Sequence, residues 1–219
     1  MNDWDRLYKA RFEESELPRR AAVWRVLCRF FQRYLPAEAH VLDLGAGYCE
    51  FINAIRAARK TAVDLNPATQ KYAAPGVTVL QTAADNLAGV SDASVDVVFA
   101  SNFFEHLPDK PTLLRCLSEI ERVLRAGGRL IILQPNIRYA PGAFWDFFDH
   151  HLPLSDRSMV EALRLCGFSV KEVRPRFLPM TTKSRLPQWP WLVSLYLALR
   201  PAHLLLGKQM LIIAESKGE

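Results

Sequence analysis

Residues 19–35 place apolar side chains at helical spacing with arginines between them, and Pro36 closes the pattern, so an amphipathic helix is predicted there. A different rhythm follows. The run Ala39-His40-Val41-Leu42-Asp43-Leu44 is short and apolar, ends at a pair of glycines, and leads into a helical stretch from Cys49 to about Ala58. That is the pattern of a buried strand feeding a helix. The unit recurs. Strands are predicted at 61–65, with Pro67 opening a helix, at 77–80, and at 95–100, the last followed by a helix over 111–125. A fifth strand, 129–133, follows the Gly127-Gly128 turn. Ser155 is placed to cap a helix that Gly167 stops, and 168–173 and 209–214 read as closing strands. Strands alternating with helices imply an α/β fold: a seven-stranded, mostly parallel sheet covered by helices on both faces.

With 219 residues, half of them hydrophobic, the chain has enough material for one core, and we read 1–219 as a single domain. It carries an N-terminal helical segment, 1–36, and an apolar helical insertion at about 188–207, before the last strand. The insertion is broken by Arg200, Pro201 and His203, too interrupted to span a bilayer. Cys28, Cys49, Cys116 and Cys166 are scattered, with no metal-ligand spacing, so no zinc site and no disulfide framework is expected. The N-terminus opens on charged residues without an apolar stretch, which points to a cytoplasmic protein. A net charge of +5 fits an ordinary basic protein, although Lys171, Arg174, Arg176, Lys183 and Arg185 form a denser basic segment suited to something negative.

The turn Leu44-Gly45-Ala46-Gly47-Tyr48-Cys49-Glu50 joins a strand to a helix, and glycines there let backbone approach a ligand. A dinucleotide would want glycine or alanine where Glu50 stands, and a carboxylate beside a pyrophosphate repels it. An acidic setting suits a cationic cofactor without phosphate, such as S-adenosylmethionine. Asp64 sits at the tip of the second strand, placed for ribose hydroxyls, and Asp85, after the third, is a partner for an adenine amino group.

Val-Leu-Asp-Leu-Gly-Ala-Gly, Val-Asp-Leu-Asn-Pro, Ala-Asp-Asn and Phe-Glu-His-Leu-Pro-Asp together resemble the successive motifs of class I S-adenosylmethionine-dependent methyltransferases, over roughly residues 8–168. The resemblance implies the Rossmann-like fold of that class. It implies that Asp43, Gly45, Ala46 and Gly47 line the methionine portion of the cofactor, that Asp64 and Leu65 meet the ribose, and that Asp85 and Asn86 meet the adenine. Asn102 and Phe103 would close the site, and an aromatic such as Tyr8 would cover the cofactor. One departure stands out: Cys49 occupies the place of the family's third glycine, which implies a slightly wider turn.

On the acceptor side, positioning supplies much of the acceleration of an in-line displacement, and a base is optional. The candidates for one are His106, after the fourth strand, and His150 and His151, in the loop after the fifth; Asp146 and Asp149 are placed to hold a histidine tautomer or an amine. Ser101-Asn102-Phe103-Phe104 lacks the paired prolines of adenine-methylating enzymes, and no basic module interleaved with aromatics is present, which disfavours a nucleic acid acceptor. The segment from Phe177 onward resembles the tail of methyltransferases that accompany glycosyltransferases in polysaccharide and glycolipid assembly. That resemblance implies O-methylation of a small or lipid-linked sugar acceptor. A phenolic, quinone or amine acceptor, and a non-catalytic module favoured by Cys49, are the alternatives. The stretch Trp189 to Leu206 is a candidate for peripheral membrane contact, for a lid, and for packing on the sheet or in a homodimer.

Overall fold

The computed structural model describes residues 14–180 and 188–218. Seven strands form one sheet: β1 (His40–Leu44), β2 (Arg59–Val63), β3 (Val77–Leu80), β4 (Val95–Ser101), β5 (Leu124–Pro135), β6 (Phe168–Arg174) and β7 (Gln209–Ser216). Their order is β3-β2-β1-β4-β5-β7-β6, parallel except that β7 runs antiparallel to both β5 and β6. The strand order reverses between β1 and β4, and an open parallel sheet binds ligands in the crevice at such a reversal.

Alternating side chains of the central strands supply two cores. Leu42, Leu44, Val98, Ala100, Leu130 and Ile132 face one layer, with α4 (Lys110–Val123) and α6 (Asp156–Leu165) packed over them. Val41, Val97, Phe99, Ile131 and Leu133 face the other, against α1 (Leu17–Phe31) and the short α2 (Glu50–Ala54). The helix starts follow local chemistry. Asp109 accepts the Thr112 amide at 2.8 Å to cap α4, and Ser155 and Ser158 form a reciprocal capping box on α6. Gly167, at φ +85°, ends α6 as expected.

Several boundaries differ from the sequence pattern for tertiary reasons. The helix expected over 49–58 stops at Ala54, because the Gln32 side chain bonds the Arg56 backbone N–H and C=O and draws the chain into β2 two residues early. The helix expected after Pro67 shrinks to α3 (Thr69–Tyr72). Strand β5 begins at Leu124 rather than 129, with a register irregularity against Val95–Val97 at its glycine pair.

A short α5 (Pro141–Phe144) follows β5. The apolar insertion becomes two helices, α7 (Pro190–Ala198) and α8 (Arg200–Leu206), broken at Leu199 just before Pro201. Val193, Tyr196 and Leu197 pack on the α1 side of the sheet. The Tyr196 hydroxyl donates to the Phe177 carbonyl at 2.6 Å, and buried His203 bonds the Tyr196 carbonyl at 3.0 Å, which ties the two helices to the chain leaving β6. No helix among the described residues is long and apolar enough to cross a membrane.

Phe99 on β4 is fully buried, stacked on Phe51 with ring centroids 3.6 Å apart and edge-on to Phe31 and Trp24, so it joins α1 and α2 to the sheet beneath the crevice. Phe99→Ala leaves a cavity there, and a loss of about 3–5 kcal/mol is expected in urea unfolding.

Candidate functional site

The C-terminal ends of β1 and β4 open onto a cavity of about 550 Å³. At one end is the turn from β1 to α2. Gly45 has φ +71°, and a Cβ on it would lie 2.5 Å from Cδ2 of Phe103, so the position excludes a side chain both by backbone geometry and by space. Cys49 also takes the left-handed conformation, at φ 58°, where the family has glycine. The turn therefore keeps its shape rather than widening, at a cost of about 1–2 kcal/mol for an L-residue, set against full burial of the side chain. Burial pushes the Cys49 thiol up to about 12, which makes it unreactive.

Acids surround this turn. The Asp64 carboxylate, at the tip of β2, accepts the Gly47 amide at 2.7 Å and the Asn66 amide at 2.8 Å; burial raises its pKa while the two amides oppose the rise. Asp43 is buried on β1, and burial first, then the neighbouring Asp64 charge, pushes its carboxyl up to about 8. Glu50 is bound at both oxygens by Arg20 from α1, at 2.7 and 3.0 Å. Arg20 thus answers Glu50, and the Asp64 charge still disfavours ionisation of Asp43.

The same cavity is lined by Glu105 and His106, in a 3-10 turn after β4 (Phe104–His106), and by His150, in the loop after β5. Nδ1 of His106 faces the Asp149 carbonyl at 2.9 Å and the Asp149 carboxylate at 3.2 Å, so it carries the ring proton and Nε2 is left to act. Burial pulls the His106 pKa down, but the Asp149 and Glu105 charges outweigh it and the net shift is upward. Among the described residues, Glu105, His106 and His150 offer donor atoms all within 4.8 Å of one another. Leu192, Val193, Leu195, Tyr196 and Leu199 of the α7 region wall the remaining side.

Of the residues expected from sequence, Asp43, Gly45, Ala46, Gly47, Asn102, His106 and His150 line this one cavity. Asp64 braces the turn from behind, and Phe103 packs on Gly45. Leu65 is exposed, and Asp85 is held by Arg115 at 3.1 Å, with Asn86 beside it, off the cavity lining. His151 is exposed and outside the lining, although its backbone amide is used. Tyr8 lies outside the described residues. Sequence reasoning missed Arg20, Trp24 and Glu105 as lining residues, because only folding brings α1 over the turn; the acid-histidine pair Glu105-His106 was visible, but its convergence with His150 was not.

Residues 42–132 match the profile of the methyltransferase domain family. The matched segment resembles a methyltransferase domain, and the sheet that carries it has the Rossmann-like fold of the class I enzymes. Among solved structures, the chain is similar to a S-adenosylmethionine-dependent methyltransferase from Archaeoglobus fulgidus, at 21% identity and TM-score 0.68 over 98% of this chain and 100% of that one. It is also similar to a chain of the complex between the Haloferax volcanii Trm112 methyltransferase activator and a methyltransferase, at 18% identity and TM-score 0.70 over 100% and 99% of the two chains. A Methanosarcina mazei methyltransferase matches at 18% identity and TM-score 0.65 over 87% and 98%. At these identities the likeness to solved structures concerns the fold. No curated protein matches the chain.

The methyltransferase domain fits its cofactor on its own electrostatics. A sulfonium or ammonium cation beside Asp43 and Asp64 would favour their ionised forms and relieve the strain between two neighbouring buried acids. In the methyltransferase, Gly45→Ala is expected to weaken S-adenosylhomocysteine binding by about tenfold or more, roughly 1.4 kcal/mol, in calorimetry. Adding Phe103→Ala should recover only part of the loss, since it removes the clash and leaves the left-handed backbone.

Proposed function

We propose that the chain transfers the methyl group of S-adenosylmethionine to a hydroxyl of a small or lipid-linked sugar. The observation that carries this reading is the mixed lining of one cavity. Its acids and glycines suit a cationic donor, and the rest of its lining combines histidines with an apolar wall. When bound, the cofactor supplies an electrophilic methyl group. The chain's own residues do the rest: Asp43 and the glycine turn hold the donor, α7 excludes water, and the wall of Glu105, His106 and His150 meets the acceptor hydroxyl and its proton. That His106 and His150, of the three histidine candidates, line the cavity supports giving the role to these two.

The surface beside the apolar end supports a lipid-linked acceptor. Trp191 is 62% exposed, Leu204 66% and Leu205 78%, an unusual density of exposed large apolar side chains around two short helices. Exposed Arg200 and Lys208 flank them. Tryptophan, leucine and basic residues in this arrangement suit the boundary of an anionic membrane, with the helices lying on the surface rather than crossing it.

Acceptor trials with labelled S-adenosylmethionine test the reading. Methylation of a glycolipid or sugar nucleotide is expected; methylation of a phenolic or amine acceptor, with all sugars refused, would sink it. Trp191→Ser with Leu205→Ser should reduce co-sedimentation with phosphatidylglycerol vesicles while S-adenosylhomocysteine affinity holds.

Asp43 gives a pH signature. Its carboxyl in the free fold titrates near 8, above the ordinary value near 4, so its ionisation destabilises the cofactor-free protein as pH rises between those values. A bound ammonium group favours the ionised form and expels the proton. Affinity for S-adenosylhomocysteine should therefore increase from pH 6 to 8 and level off above, with proton release seen as a buffer-dependent binding enthalpy. Asp43→Asn should bind more weakly and lose that part of the pH dependence.

A further inference from the structure

We propose that Glu105, His106 and His150 bind one divalent first-row metal ion, of the zinc, cobalt or manganese kind, at the acceptor end of the cavity. Each residue offers one donor atom, and the three lie within 4.8 Å of one another. Donors at about 2.1 Å from a common ion are at most about 4.2 Å apart, so side-chain adjustments of about an ångström complete the set. Two imidazoles and one carboxylate suit borderline cations, and three protein ligands leave a position open for an exogenous oxygen.

The surroundings hold the three donors in place. Glu105 and His150 come from segments far apart in sequence, and the His151 and Leu152 amides both donate to the Glu105 carbonyl, at 2.8 and 3.0 Å, which locks the loop after β5 to the turn after β4. Asp149 takes the Nδ1 side of His106 at 3.2 Å, directing Nε2 away from it, the outer-shell arrangement that orients metal-bound histidine. The His150 ring is stacked on Phe147, with centroids 4.6 Å apart, and tilted against Phe144 at 4.7 Å. Glu105 is 1% exposed and His150 7%, yet both line the cavity.

The role of the ion deepens the methyl-transfer reading and rests on it; the binding of the ion does not. An acceptor hydroxyl taking the open position would acidify and give up its proton to solvent. Its oxygen then forms the O–CH3 bond as the S–CH3 bond breaks, with the electron pair going to sulfur.

The test uses the untagged full chain, stripped with a chelator and titrated with Co²⁺ alone and with Zn²⁺ alone. Visible ligand-field bands and calorimetric binding of one ion per chain are expected. Glu105→Gln, His106→Ala and His150→Ala should each lose the bands, and Asp149→Asn should weaken binding by about 10–100-fold. S-adenosylhomocysteine affinity should hold in all four, which shows that each variant is folded. No bands and no heat in the native chain, or binding that survives His106→Ala with His150→Ala, overturns the site. Metal binding without methylation of any acceptor would uphold the site and fail the methyl-transfer reading instead. Turnover indifferent to chelation would overturn the role given to the ion.

Discussion

The structure depends on one constraint: the chain leaving β1 must turn through left-handed backbone at Gly45, Gly47 and Cys49 within a few residues, directly over the reversal of strand order. Such a turn is not stable alone. The Val63 carbonyl accepts the Gly45 and Ala46 amides at 2.8 and 3.2 Å, and Asp64 accepts the Gly47 amide, so the end of β2 holds the end of β1. Phe103 presses on Gly45 from the far side. Three strand ends thereby fix one loop, and the loop fixes the position of every acid around it.

The electrostatics follow from that geometry. Asp43 and Asp64 are drawn into a poorly solvated pocket at neighbouring strand ends, where backbone amides hold Asp64 and Arg20 reaches Glu50. A cation without phosphate would suit such a glycine turn better than a pyrophosphate would. The same rigidity explains Cys49: a left-handed non-glycine is tolerated where surrounding bonds over-determine the backbone and its side chain fills a buried gap.

The histidine-lined part of the cavity is built on different terms. Glu105, His106 and His150 sit on a 3-10 turn and a loop joined by two backbone hydrogen bonds, and the helix pair nearby is anchored by Tyr196 and His203. Loops on a rigid scaffold tolerate variation that strand ends do not, and here the glycine turn rests on strand ends while the histidines sit on the connections.

By itself the sequence determined the alternation of strands and helices, because buried parallel strands must be short apolar runs and helix ends need caps and glycines that can be read directly, as at Ser155 and Gly167. It also determined the order of acids and glycines along the crevice, since Asp43, Gly45, Gly47 and Asp64 lie at or beside consecutive strand tips. The tertiary structure alone decided that the helix after Cys49 stops at Ala54, where Gln32 competes for its backbone, and that Asp85 turns to Arg115. It decided, too, that His150 rather than His151 joins His106: adjacent residues in a loop point different ways, and which one enters the cavity depends on backbone bonds to Glu105 across 46 residues of chain that no local pattern encodes.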